Sequence, residues 1–307
     1  MKHLFIVNPT AGGSDKTDEV RARVVSAFAQ RPEEDVEIYI TKAPLDATDK
    51  IRAEAETGEE LRVYACGGDG TFNECAAGVM GFENAAVCPF PTGTGNDFCR
   101  MFGAEKELFR DLEALLDGTV HPIDAIDCNG RCSVNICSVG IDARIGTNVH
   151  KYTELPLVGG AAAYVVSAAV EMFRGIARPM RITAGEYRGE GEYSLVCVCN
   201  GRYYGGGFNP SPDARPDDGV LDMFIVKKVS LLQFAALIGK YASGRAAELT
   251  KLVTHLRGRE ITIEFEEDNV INLDGEAFYT DKAVMRLVPG AVRLIVPGGM
   301  KFFESEG

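Results

Sequence analysis

Gly67, Gly68 and Gly70 surround Asp69 in the stretch CGGDGTFNE, residues 66–74. Without side chains, backbone N–H groups are free to meet an anion closely. The stretch follows an apolar β-like run, LRVYAC, and precedes a helical pattern, so a helix N-terminus would add its positive end at the same place. Phosphate is the guest such a turn suits. The arrangement occurs twice more, in NPTAGG (8–13) after HLFIV and in PTGTGND (91–97) after AAVCPF. One glycine-rich turn after a strand is only a tight connection. Three at the carboxyl ends of parallel strands would line one crevice, where open α/β sheets bind ligands. The loops complete neither G-x-x-x-x-G-K-[ST] nor G-x-G-x-x-G, and the protein-kinase signatures are absent, so a different phosphate grip is required.

Carboxylates are the other chemical candidates. Asp274 and Glu276 stand two apart in NVINLDGEAFYT, where an extended strand would put them on one face and a turn at Gly275 could direct both to one side. Each acid also has a structural reading: Asp69 as a helix cap, Asp274-Gly275 as a hairpin turn, and Asp217-Asp218-Gly219 as another turn. His3, His121, His150 and His255 are scattered, and no nucleophile–base pair can be read from them. The nine cysteines lie in apolar runs such as SLVCVCN and AAVCPF, as small buried hydrophobes in a reducing cytoplasm. Cys197 and Cys199 would share a strand face, and Cys128, Cys132 and Cys137 lie close in sequence, but neither set has zinc spacing with a nearby His.

Elements that position these residues follow from periodicity. HLFIVNP, VEIYIT, LRVYACGG and AAVCPFP read as strands. Between them lie helical patterns: Val20, Val24 and Phe28 at four-residue spacing, a stretch ending near Gly58, and one from Phe72 to Met80. FRDLEALLDG reads as a further helix. The alternation predicts βαβ units and a parallel sheet through about residue 120. Beyond it, IDAIDCNGRCSVNI reads as a hairpin about Asn129-Gly130. YSLVCVCN, GVLDMFIVKK, REITIEFEED, NVINLDG, AVMRLVP and VRLIVPG continue as strands, with helical patterns near 160–175 and 230–250. This half reads as mainly antiparallel β.

At 307 residues, two domains are expected. The N-terminal run reads as a first strand rather than a leader, and AAAYVVSAAV, the longest nearly apolar run, is about half of a bilayer span. With 32 basic against 45 acidic residues the net charge is −13, which argues against nucleic acid as a partner. From Arg131 to Ile182 the balance reverses: Arg131, Arg144, Lys151, Arg174, Arg178 and Arg181 face only Asp142, Glu154 and Glu171. That stretch is either a solvated face or one that meets an anionic partner.

NPTAG, GGDGTFNE, PTGTGNDF and the late LDGE, in this order, resemble the diacylglycerol kinase catalytic-domain family, which includes soluble bacterial lipid kinases and sphingosine kinases. GGDGT alone is shared with NAD kinases; GTGNDF and DGE are the lipid-kinase features. The resemblance covers nearly the whole chain. It implies an N-terminal α/β nucleotide-binding domain, NAD-kinase-like, over residues 1–125 plus about 290–307, and a C-terminal β-sandwich over 126–289 for the lipid substrate, with catalysis in the cleft between them and the last strand, around 291–296, returning to the first domain. Asn8, Pro9, Thr10, Ala11, Gly12, Thr41, Gly67, Gly68, Asp69, Gly70, Thr71, Phe72, Asn73 and Thr94 would bind ATP. Asp69, with Asp97 and Asp124, would organise the accompanying Mg²⁺, and a structural Mg²⁺ would sit on Asp218 with the carbonyls of Arg215 and Val220. Asp274, Glu276 and Asp69 would be catalytic, one of the first two as general base.

Ala11 stands where many relatives have serine, and APLDAT (43–48) lacks a Gly-His-Ala often found after the second strand, which leaves the adenine side less defined. The activity implied is ATP-dependent phosphorylation of a lipid alcohol, with diacylglycerol converted to phosphatidic acid as the first choice. An NAD kinase and a non-catalytic nucleotide-binding regulator are the alternatives. The expected partner is a lipid at a membrane surface, met by a cytoplasmic, transiently peripheral protein whose approach face is the basic stretch. A homodimer is compatible with the sequence and not required by it.

Overall fold

A computed structural model describes residues 1–11, 14–92, 96–145, 147 and 175–304. The chain divides into one unit of residues 1–125 and 289–307 and another of residues 126–288. It passes between them along two strands, β5 (Thr119–Cys128) and β13 (Glu276–Val296). No helix among the described residues is long and apolar enough to cross a membrane.

In the first unit, β1 (Lys2–Val7), β2 (Asp35–Ile40), β3 (Leu61–Gly67) and β4 (Ala85–Pro91) form a parallel sheet in the order β2-β1-β3-β4. The end of β13 joins it, Leu294 lying parallel to Val87 of β4. β4 is buried throughout and β3 nearly so, as strands covered on both faces must be. α1 (Thr17–Phe28) buries Thr17, Val20, Val24 and Phe28, the face its spacing predicts. α2 (Asp46–Ala55) and α3 (Asp69–Val79) pack closely: a Cβ on Gly78 of α3 would come within 2.9 Å of the Ile51 side chain. α4 (Asp97–Arg100) follows β4. The single helix expected from FRDLEALLDG is divided into a 3₁₀ segment, Gly103–Arg110, and α5 (Leu112–Leu116). Asp111 causes the break, because its extended backbone lets the carboxylate accept the N–H groups of Glu113 and Ala114 as a cap.

The second unit contains the end of β5, β6 (Arg131–Ser133), β7 (Ile136–Gly140), β8 (Arg178–Ala184), β9 (Tyr187–Cys199), β10 (Leu221–Lys227), β11 (Val253–Gly258), β12 (Glu260–Leu273), most of β13 and α6 (Leu231–Ala242). Its pairs β5–β6, β7–β9, β7–β12, β8–β9, β8–β12, β9–β10, β10–β11 and β12–β13 are antiparallel. Asn129 and Gly130 both have positive φ, as a two-residue hairpin between β5 and β6 requires. Alternation along β9 builds two apolar clusters: Val196 and Val198 join Ile225 and Ile271, while Cys197 and Cys199 join Phe224, Leu237 and Tyr241.

REITIEFEED and NVINL, read as separate strands, are one strand with a register shift between Glu264 and Asn269. AVMRLVP and VRLIVPG are likewise one strand: Gly290 takes a positive φ and donates its N–H to Asp124 Oδ1, which carries the chain through Pro289. The helical pattern near 160–175 lies outside the described residues up to residue 174.

Candidate active site

Strand register collects the loops at one edge of the first sheet. Val7 lies opposite both Ile40 and Cys66, and Gly67 opposite Pro91, so Asn8, Thr41, Gly68 and the loop after Pro91 emerge together. The chain's direction of travel across the sheet reverses between β1 and β3, which makes this edge the switch point where such sheets place ligands. Asn8 organises the first loop. Its Oδ1 accepts the Thr10 N–H (3.0 Å) and hydroxyl (2.8 Å), its carbonyl accepts the Ala11 N–H (3.2 Å), and its Nδ2 donates to Thr71 Oγ1 on α3 (3.2 Å). The Thr41 N–H donates to the Val7 carbonyl at 2.9 Å. Pro9 is half-buried beside them.

The glycines turn out to serve different needs. A Cβ on Gly67 would lie 2.3 Å from Thr71 Oγ1, so Thr71 already occupies the space a side chain would take. Gly68 is extended (φ −104°) and precedes Asp69, the first residue of α3, with Gly70 in the opening turn. Phe72 and Asn73 are buried, Phe72 against Phe98 with ring centroids 4.6 Å apart, so its side chain belongs to the core. Asp69 does not cap its own helix. Its carboxylate instead accepts the N–H groups of Asp97 (2.9 Å) and Phe98 (3.1 Å) at the start of α4. The Asn8–Thr71 bond thus joins the first loop to the second, and Asp69 joins the second to the third. Gly12 and Thr94 lie outside the described residues.

The metal ligands implied by resemblance have other partners. Asp97 pairs with Arg100 Nε at 2.8 Å, and Asp124 accepts from Gly290. No group of three His, Cys, Asp or Glu residues able to hold an ion occurs among the described residues. Asp69 and Asp97, adjacent through a backbone bond, still fit an ion brought by phosphates, because Mg²⁺ takes only one or two carboxylates in such sites. At the structural site implied by resemblance, Asp218 Oδ1 accepts the Val220 N–H (3.1 Å), and Oδ2 accepts from Arg257 (2.7 Å). Arg215 is engaged with Asp217. A cation at Asp218 would have to displace the exposed Arg257 from its carboxylate. Millimolar Mg²⁺ without nucleotide is therefore expected to leave the protein's Tm unchanged; a rise that disappears in Asp218→Ala would restore the site.

Asp274 and Gly275 form the two-residue turn between β12 and β13, with φ of 50° and 97°. The hairpin reading holds there. Asp274 Oδ2 accepts the N–H groups of Val134 (2.8 Å) and Asn135 (3.2 Å), and Oδ1 that of Ile136 (2.7 Å). Burial pushes this carboxyl up to about 6, against the lowering pull of those N–H groups and the Ser133 hydroxyl. Glu276 opens β13 and is exposed, and its side chain makes no hydrogen bond or ion pair with another described residue. The pair is therefore unequal: one acid is clamped, the other free.

Three further groups were invisible in the sequence because their partners are distant along the chain. His255 meets Asp222 at 2.6 Å across β10 and β11. His3 lies buried with Nδ1 2.9 Å from the Tyr64 hydroxyl. Asp142 accepts from the Tyr204 hydroxyl at 2.7 Å, and Tyr204 is 2.9 Å from the Tyr241 hydroxyl. Burial pushes Asp142 up to about 6 despite these bonds. A carboxyl raised in the folded state favours folding while protonated and loses that contribution as pH rises from its unfolded value through about 6. Asp142→Asn, which keeps an acceptor for Tyr204, should gain Tm relative to the parent as pH goes from 4 to 7. A constant difference over that range would place the charge elsewhere.

The basic stretch is dispersed where it is described. Arg144 is buried and donates to the carbonyls of Gly175 and Ile176, Arg181 pairs with Glu190 and Glu264, Arg178 bonds to nearby carbonyls, and Arg131 lies over the Phe278 ring. Lys151 and Arg174 lie outside the described residues. All described cysteines are free, and only Cys132 is not fully buried. Burial pushes the thiols of Cys75, Cys88 and Cys128 up, Cys128 to about 12, as expected of packing residues.

Comparison with known proteins places this geometry. Residues 2–128 match the diacylglycerol kinase catalytic domain, and residues 135–296 the YegS C-terminal NAD kinase beta sandwich-like domain. A Pseudomonas aeruginosa protein named probable lipid kinase YegS-like is 32% identical over 97% of this chain and 95% of its own length. A Bacillus subtilis diacylglycerol kinase is 29% identical over 89% of this chain and 88% of its own. A crystal structure of a diacylglycerol kinase from Bacillus anthracis covers 97% of this chain and 98% of its own, with a TM-score of 0.69 at 27% identity. Yeast NADH kinase, 10% identical with a TM-score of 0.50, shares the fold. With both family domains matched in order over nearly its whole length, the chain belongs to the diacylglycerol kinase catalytic-domain family.

Proposed function

We propose that the protein is an ATP-dependent kinase of lipid alcohols and that diacylglycerol is its substrate, phosphorylated to phosphatidic acid. The observation that carries the reading is the side-chain tying of three loops at the sheet's switch edge, Asn8 to Thr71 and Asp69 to the start of α4. Phosphoryl transfer asks mainly for positioning and charge neutralisation, and loops fixed to one another supply the first. The N-terminus of α3 offers its N–H groups and positive end to the donor phosphates. Mg²⁺ bound with the nucleotide would neutralise charge on those phosphates, beside Asp69 and Asp97.

On the acceptor side, the free Glu276 carboxylate takes the proton of the lipid hydroxyl. Asp274, clamped by three backbone N–H groups, fixes the turn from which Glu276 projects. Names of the relatives support the lipid class, and DGE at 274–276 supports an active rather than a regulatory protein. Labelled ATP tested against diacylglycerol, monoacylglycerol, a sphingoid base and NAD should label diacylglycerol most. Transfer to NAD alone, or nucleotide binding with no acceptor, would displace this reading.

A further inference from the structure

α6 presents apolar side chains on both of its faces. Phe234, Leu237 and Tyr241 turn inward, packing with Phe224 and Val226, at the spacing of one helix face. Leu232 is nevertheless 85% exposed and Ile238 38% exposed, on a helix whose N-terminus is fixed by the Ser230–Gln233 capping box. Together the two leave apolar surface uncovered along a well-formed helix.

The charge around this helix is equally unusual. Between Asp222 and Glu248 the sequence contains no Asp or Glu, although the protein carries 45 acidic residues and a net charge of −13. Basic residues stand at both ends of the helix instead: Lys227 and Lys228 before it, Lys240 in its last turn, and Arg245 and Lys251 after it. Lys228 and Lys240 are paired with Glu192 and Glu248, while Lys227, Arg245 and Lys251 are exposed and make no ion pair with a described residue. An apolar helix of about 18 Å bracketed by cations matches a surface that is apolar beneath an anionic layer, where leucines enter the acyl boundary and lysines remain at headgroup level.

We propose that α6 is an interfacial helix that docks the protein on an anionic bilayer through Leu232 and Ile238, with Lys227, Arg245 and Lys251 at the headgroups. The choice of a bilayer over another occupant rests on this local charge reversal, and on the reading above that the substrate is a membrane lipid. Of the described basic residues between Arg131 and Ile182, Arg144 is buried, Arg178 and Arg181 are bonded, and Arg131 lies over the Phe278 ring.

Sedimentation of the full chain with vesicles tests the proposal. The parent should bind phosphatidylcholine vesicles containing phosphatidylglycerol, more weakly as salt rises, and phosphatidylcholine vesicles poorly. Leu232→Glu should lower partition at least about tenfold by removing the inserted group and adding repulsion. Lys227→Gln should lower it about fivefold, the contribution of one basic residue near an anionic surface. Val25→Glu, at a 64% exposed apolar position of α1, is the control and should bind like the parent.

Parental binding by Leu232→Glu, or equal loss in the control, would overturn the proposal. So would an oligomer in vesicle-free solution that Leu232→Glu dissociates, because a second copy would then cover the face. Turnover separates this result from the substrate reading: Leu232→Glu should keep parental rates on detergent-dispersed diacylglycerol and lose them on vesicles. If the parent phosphorylates no lipid yet binds vesicles through α6, the docking face stands and the substrate reading falls.

Discussion

Glu276→Gln is expected to lower lipid phosphorylation by about 10²- to 10⁴-fold, the usual cost of losing a general base, while ATP affinity and Tm stay at parental values. The side chain is exposed at the start of β13 and holds no described partner, so its loss should not disturb the fold. Asp274→Asn should lose activity differently. Either orientation of the amide turns its NH₂ toward backbone N–H groups of residues 134–136 that now donate to a carboxylate, leaving donor against donor. A buried donor without an acceptor costs about 1–3 kcal/mol, so this variant should melt lower as well as turn over more slowly. Parental turnover by Glu276→Gln, on a lipid the parent phosphorylates, would remove it as the base.

Asp69→Ala is expected to weaken ADP binding by about 100-fold or more even without Mg²⁺. Two N–H groups at the start of α4 lose a charged acceptor, each such bond being worth about 1.5–3 kcal/mol. The described side-chain tie between the second loop and the third is then lost. Asp69→Asn, which keeps one carbonyl oxygen, should fall between alanine and the parent. A residue serving only the metal predicts another result: without Mg²⁺ all three proteins would bind ADP alike. Titration of ADP in chelator distinguishes the two, and equal affinities there would show that the bonds to Asp97 and Phe98 do not position the nucleotide loops.

How much of this was legible in the sequence depended on the distance over which each interaction acts. The parallel half could be read from strand–turn–helix alternation, and the packed face of α1 from Val20, Val24 and Phe28, because local periodicity records which side is buried. The Asn129-Gly130 hairpin was equally plain, since turn chemistry is settled by two residues. Motif order carried the family. Breaks within elements were less legible: Asp111 divides an apparent helix by capping, and Gly290 lets β13 pass through Pro289 only because Asp124 receives its N–H.

The sequence by itself determined the two-part architecture, the glycine loops and the acids available for chemistry, all of which follow from residue type and near-neighbour spacing. Tertiary structure decided the division of labour among them. It showed that Gly67 makes room for Thr71, that Asp69 serves α4 rather than α3, and that Asp218 faces Arg257 instead of an open ligand shell. It also separated Asp274, clamped by residues some 140 positions away, from the free Glu276. Such assignments depend on which donors lie within about 3 Å of each carboxylate, and those donors come from strands brought alongside by folding, whose register no local pattern encodes.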